Sequence, residues 1–234
     1  MTKLRGALSQ IQGRFEGDVR SPYDDGWAQD DEAPPAPQTT VTEESARSII
    51  ARNDSPDVPF EQSVNPYRGC EHGCIYCYAR PSHAYLELSP GLDFETRLFA
   101  KTNAVELLKE AISKRGYRAT PMAFGTNTDC YQPIERRYRV MRGLIEVLAA
   151  CDHPLTIVTK SALIERDIDM LAPMAKKNLV KAFISITTLD HRLARTLEPR
   201  AASPRRRLDA IRALASAGIP CGVMVAPLIP ALTD

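Results

Sequence analysis

Three cysteines, Cys70, Cys74 and Cys77, fall within eight residues of the run NPYRGCEHGCIYCYARP. This C-x3-C-x2-C spacing constrains the chain more than any other feature, because three thiolates on one loop can converge on a single metal centre. Structural zinc almost always takes four ligands. His72 or His83 would have to supply the fourth, and no second C-x2-C or H-x3-H pair completes a zinc knuckle. Standard ferredoxin cubanes use four cysteines. Three cysteines on a cubane leave one iron without a protein ligand, open to a small molecule. An open cubane, a zinc site and three plain buried thiols are the alternatives the residues leave. Cys130, Cys151 and Cys221 are scattered and are expected as core or rim thiols.

The N-terminus, MTKLRGALSQIQGRFEGD, has no apolar core segment of the secretory kind. No apolar run approaches the ~18–20 residues that span a bilayer. Both observations point to the cytoplasm and no membrane, where clustered cysteines serve as ligands or thiols rather than disulfides. The chain has 234 residues, 44% hydrophobic and 25% charged, which excludes global disorder and collagen-like classes. Thirty basic against 29 acidic residues leave a net charge of +1, so no overall basic field announces a nucleic-acid binder.

Residues 1–57 are expected as a mostly disordered tail. They carry Pro34, Pro35 and Pro37, an acidic cluster at Asp24, Asp25, Asp30, Asp31 and Glu32, and few apolar positions. A short helix is expected over Glu43–Arg52, and Arg5, Arg14 and Trp27 are the only hints of docking. Residues 58–234 are expected as one core domain of alternating strands and helices. Strands are predicted at Gln62–Asn65, Met122–Gly125, Leu155–Thr159, Val180–Ile186 and Cys221–Ala226, apolar on both faces as in a covered parallel sheet. Helices are predicted from Asn103 with Glu106 as a capping box, over Glu135–Ala150, over about Arg166–Lys177, and from the Ser203-Pro204 cap to Gly218. The alternation implies an α/β fold, a parallel sheet or barrel, with functional residues at the C-terminal strand ends.

C-x3-C-x2-C with Tyr76 just before the third cysteine resembles the radical S-adenosylmethionine (SAM) signature. SVNPYRGCEHGCIYCYARPSHAY, GTNTDCYQPIER, TKS and EPRA resemble a bacterial radical SAM family of the spore-photoproduct-lyase-like group, often labelled DNA repair photolyase. The resemblance implies a partial parallel (β/α) barrel. About five of its usual six units are present here, so the fold is expected to be C-terminally incomplete. A shortened form of this kind is expected to be less stable than a longer parent.

The resemblance also implies that Cys70, Cys74 and Cys77 hold a 4Fe-4S cluster whose fourth iron chelates SAM. An electron from the cluster then yields methionine and a 5′-deoxyadenosyl radical, which abstracts hydrogen from a substrate. By matched position, Thr128, Lys160 and Ser185 would contact SAM, and Tyr76 would present backbone to the adenine. An electron donor such as flavodoxin or ferredoxin is implied. The substrate is not specified, with nucleic acid a candidate. The lyases of the group place a hydrogen-donating cysteine at the end of the second strand, where this chain has Thr126, with Cys130 four residues on. Lesion repair is therefore the alternative reading, and a non-catalytic iron–sulfur or zinc module is the other.

Asp129, Tyr131, Gln132 and Glu135 form a polar run expected to face substrate, with capping of the helix at Glu135 as the other role for Asp129. Two arginine clusters, one at Arg136, Arg137, Arg139 and Arg142 and one from Arg192 to Arg212, either bind phosphates or form solvated faces paired with Glu198, Asp209 and Glu135. The four histidines are not spaced as a metal set.

Overall fold

The computed structural model describes residues 5–15 and 38–234. Nine strands and seven α-helices follow one another in the described chain. The strands are β1 (Thr40–Glu44), β2 (Ile50–Arg52), β3 (Gln62–Val64), β4 (Tyr67–Arg68), β5 (Arg97–Lys101), β6 (Met122–Phe124), β7 (Leu155–Thr159), β8 (Val180–Ser185) and β9 (Cys221–Met224). The helices are α1 (Asp93–Thr96), α2 (Ala104–Ile112), α3 (Glu135–Tyr138), α4 (Val140–Ala150), α5 (Ile168–Lys176), α6 (His191–Leu197) and α7 (Pro204–Ser216).

A six-stranded sheet runs in the order β2-β3-β6-β7-β8-β9. Every pair from β3 to β9 is parallel, and only β2 joins antiparallel. The five parallel strands are those expected from the sequence, each within a residue or two of its predicted bounds. Their apolar residues meet α2, α4, α5 and α7 in one hydrophobic core that includes Met122, Phe124, Leu144, Leu148, Ile157, Ile184 and Leu214. On the edge strand β9, Val223 is half exposed and Met224 lies partly open.

Helix α7 begins as predicted: the Ser203 hydroxyl accepts the Arg206 N–H, Pro204 occupies the first turn, and Gly218 ends the helix at φ +74°. The helix expected over 135–150 is broken. Arg139 adopts a left-handed backbone (φ +52°), and the buried Glu135 carboxylate accepts the N–H groups of Met141 and Arg142, capping a second helix in place of continuing the first. Asn103 does not form a capping box. Its amide instead accepts the Ala46 N–H at 2.9 Å and donates to the Ala46 carbonyl at 2.9 Å.

That contact accounts for the largest departure from expectation. Residues 43–52 form no helix, because Asn103 pins a bend at Ala46 between two strands. β1 pairs in parallel with β5 (Thr40↔Arg97), and β2 borders β3. Strands β1 and β2 carry the fold well into the segment expected as a tail, β1 on the edge of a three-stranded sheet of order β1-β5-β4 and β2 on the edge of the six-stranded sheet. The isolated propensity of 40–52 is weak, and pairing with β5 and β3 supplies what propensity does not. Arg5 docks, donating to the Glu95 carbonyl at 2.9 Å, whereas Arg14 is exposed and Trp27 lies outside the described residues. α6 was not expected; Asp190 starts it by accepting the N–H groups of Arg192 and Leu193. No helix among the described residues is long and apolar enough to cross a membrane.

Candidate functional site

The cysteine loop leaves β4 and crosses the C-terminal ends of the parallel strands. Cys70, Cys74 and Cys77 are all free, and they line one cavity of about 110 Å³ together with Tyr76, Tyr78, Asn127, Asp129, Lys160 and Ser185. Of the residues singled out from the sequence, the structure gathers Tyr76, Asp129, Lys160, Ser185 and the three cysteines at this cavity. Thr128 is not on the cavity wall. Its hydroxyl donates to the Tyr67 carbonyl at 2.8 Å, its side chain is buried, and the cavity wall at that strand end is Asn127.

Four loops fix the geometry. From β7, Lys160 reaches toward Tyr76, its ammonium 5.8 Å from the ring centre. Burial opposes its charge, but Cys74, Glu198 and Asp129 more than offset that, so its pKa is raised. Burial pushes the Cys74 thiol up to about 12, against the pull of Lys160, and raises Cys70 well above its ordinary value with Asp129 and the other thiols adding to the effect.

Asp129 lines the cavity and acts as a bolt, while the helix at Glu135 is capped at Ile134. Its carboxylate accepts the Thr159 hydroxyl and the Lys160 N–H, both at 2.7 Å, and lies 3.3 Å from the His72 ring. Although burial opposes its charge, the His72 imidazole and these donors hold its carboxyl well below the usual range. It thereby ties the end of β7 to the cysteine loop. Gln132 also faces inward, accepting the Glu71 N–H (2.9 Å) and donating to the Gly69 carbonyl (3.0 Å). Tyr131 donates to the buried Asp167, and Glu135 pairs with Arg166 and Tyr67, so none of this polar run faces the cavity except Asp129.

The far side of the loop is held by the segment that carries EPRA. The Ile75 N–H donates to the Leu197 carbonyl at 3.0 Å, and the Arg200 N–H to the His72 carbonyl at 3.1 Å. Glu198 is buried, accepts the Tyr76 and Thr187 hydroxyls, and pairs with the buried Arg207. Arg207 also donates to the carbonyls of Ser185 (2.8 Å) and Ala202 (2.7 Å). The sequence suggested solvated pairing for these arginines. Arg206 and Arg212 do pair that way with Asp209, whereas Arg200 and Arg207 are internal braces, to Glu71 and Glu198. Glu198, His72 and Asp129 were not singled out as braces; the first was expected as an arginine partner, but in a solvated pair, and it pairs with Arg207 in the interior.

Among the described residues, no three His, Cys, Asp or Glu side chains are gathered to hold a single metal ion. The three thiols rim a shared cavity instead of meeting at a point, and its wall also carries an amine, a hydroxyl, a carboxamide and the His72–Asp129 pair, whose imidazole and carboxylate engage each other at 3.3 Å, rather than a fourth thiol. That donor set suits a multi-iron group with an open corner and a polar, zwitterionic small molecule beside it better than it suits tetrahedral zinc.

A model of the radical SAM superfamily matches residues 64–234, and the chain belongs to that superfamily. An uncharacterized protein of Mycobacterium tuberculosis is 44% identical over 177 residues, covering 76% of this chain and 52% of its own length. One of Methanocaldococcus jannaschii is 28% identical over 171 residues, covering 73% and 61%. The chain thus spans about half the length of the first of these relatives. Among solved structures, spore photoproduct lyase complexed with dinucleoside spore photoproduct matches with a TM-score of 0.60 at 22% identity, covering 81% of this chain and 52% of that one. A variant of that lyase with bound AdoMet and the dinucleoside matches at 0.59 and 22% identity, over 80% and 51%. These likenesses show the fold, a mixed α/β architecture on a parallel sheet. Membership of the superfamily implies a 4Fe-4S cluster, SAM and an electron donor.

Proposed function

We propose that this chain is the core of a radical SAM enzyme, folded as the partial parallel barrel of that class, with the cluster on Cys70, Cys74 and Cys77. The observation that carries the reading is the convergence of three thiols from one short loop with Lys160, Tyr76 and Ser185 at a single cavity. When bound, the cluster and SAM supply reductive cleavage of the sulfonium and a 5′-deoxyadenosyl radical that takes hydrogen from substrate.

The chain's own residues bind and orient. Lys160, a buried ammonium at a strand end, suits the carboxylate of SAM as a point charge. Ser185 offers a buried hydroxyl, and Tyr76 is held rigid by Glu198 so that the loop backbone beside it can meet the adenine. Asn127 takes the place that Thr128 was expected to fill. The lesion-lyase reading gains no support from the thiols: Cys130 is fully buried and outside the cavity wall, and Thr126 bonds to Asn65.

Anaerobic reconstitution with iron and sulfide tests the proposal. The expected product is a brown protein with about four irons per chain, as a cubane requires, that forms 5′-deoxyadenosine from SAM and dithionite. Cys74→Ala should lose both. A colourless protein holding one zinc would overturn the reading.

A further inference from the structure

The cysteine loop is gripped from a side that faces away from the cavity. Glu95, at the end of α1, is completely buried beneath the loop. Its carboxylate accepts three donors: the backbone N–H of Gly6 at 2.9 Å, that of Ala7 at 2.8 Å, and the Arg80 guanidinium at 2.5 Å. Arg80 in turn donates from two nitrogens to the Cys74 carbonyl, at 2.9 and 3.2 Å, and from a third to the Gly91 carbonyl at 3.1 Å. A buried carboxylate and guanidinium joined in this way lock geometry, because neither can move without stranding a charge.

The N-terminal segment completes the lock. Gly6 lies so close to the loop that an added Cβ would stand 1.8 Å from the Gly73 carbonyl oxygen, and a Cβ on Gly73 would stand 2.6 Å from Glu95. Gly73 also sits at φ +67°. Further contacts run along the segment. Gln10 exchanges hydrogen bonds with Asp93 (2.6 and 3.2 Å), the Leu92 N–H donates to the Ser9 carbonyl, and the Ser89 hydroxyl donates to the Ile11 carbonyl at 2.5 Å. Arg5 donates to Thr39, which donates at 2.8 Å to Glu71, the residue after Cys70. Residues 5–11 therefore touch both ends of the Cys70–Cys74 span through polar relays.

We propose that residues 5–11 are a strap that positions the Cys74 end of the cysteine loop, acting through Glu95 and Arg80 as positioning residues. In treating that loop as the cluster's seat, the proposal rests on the function proposed above.

The test uses the full chain, reduced and metal-free, treated with iodoacetamide and followed cysteine by cysteine by mass spectrometry. Gly6→Ala pushes the strap off with one methyl group, and Glu95→Gln removes the charge that holds it. Alkylation of Cys74 is expected to rise at least about tenfold in both, as in a local opening, while Cys221 on β9 keeps its wild-type rate. After reconstitution, the electron paramagnetic resonance spectrum of the reduced, SAM-treated protein should change in line shape in Glu95→Gln, a readout that general loosening would not move. An unchanged Cys74 rate, a rise shared equally with Cys221, or a Gly6→Ala chain that does not fold would each overturn the strap as a local positioning device. Should Glu95→Gln not fold, Gly6→Ala decides alone. If the protein took up no cluster, the proposed function would fall, and the alkylation rates would still decide the strap.

Discussion

Glu198 and Arg207 form the deepest ion pair in the described chain, with side chains 1% and 2% exposed. Glu198→Gln keeps the size and shape of the side chain and removes only the charge. The Arg207 guanidinium then stays buried with two carbonyls, those of Ser185 and Ala202, and no counter-ion. Stranding one partner of a buried pair costs about 3–5 kcal/mol, and the two retained carbonyls place this case near the lower figure, about 3 kcal/mol. In a chain of this size that corresponds to a fall in melting temperature of roughly 6–12 °C. Urea unfolding of the reduced, metal-free protein, followed by circular dichroism, gives the free energy directly. Glu198→Leu combined with Arg207→Met removes the stranded charge but leaves the Ser185 and Ala202 carbonyls and the Tyr76 and Thr187 hydroxyls without these partners, so it should recover only part of the loss. A loss below about 1 kcal/mol for Glu198→Gln, the size of a surface pair, would refute the reasoning.

Lys160→Met should lower SAM affinity of the reconstituted protein by at least about tenfold, the loss of one charge-assisted contact, measured by equilibrium dialysis under argon. Thr128→Val should cost about 1 kcal/mol by leaving the Tyr67 carbonyl without its donor, while SAM affinity stays at the wild-type value; a selective affinity loss would return Thr128 to the cofactor. His83 and His153 are both shifted below their ordinary value of 6.5, by burial first, and the Nδ1 of His83 has no partner. Their folded pKa values lie below the unfolded ones, so the unfolded chain binds protons first as pH falls. Stability should therefore be flat from about pH 8 down to 6.5 and decline below that, by up to about 1.4 kcal/mol per pH unit for each histidine, and a urea midpoint constant from pH 7 to 5 would contradict this.

What could be seen in the sequence was what neighbouring residues encode together. The five parallel strands are apolar runs between turn signals, the start of α7 is written in Ser203-Pro204, and the three thiols sit within one loop. The missing parts depend on partners far apart in the chain. Asn103 has the residue type of a helix cap and is spent on Ala46, 57 residues away. β1 finds its partner only in β5. Glu198 resembles any carboxylate beside an arginine-rich helix until the fold buries it, since a buried and a solvated pair have the same residues.

The braces that sequence patterns hide share one destination. Asp129 and Gln132 after β6, Glu198 and Arg200 between α6 and α7, and Arg80 come from three segments, and each ends on the backbone or a side chain of residues 69–76. All five lie within residues 58–234, and one of them, Arg80, is held by the Glu95 carboxylate that the N-terminal segment covers. A loop with two left-handed glycines, at 69 and 73, has little conformational preference of its own. Three thiols on such a loop would scatter, and a cluster would have to order them at the expense of its own binding free energy. Surrounding the loop with satisfied, buried polar contacts moves that ordering into folding, so under the proposed function the positions of the thiols would be set before a cluster bound.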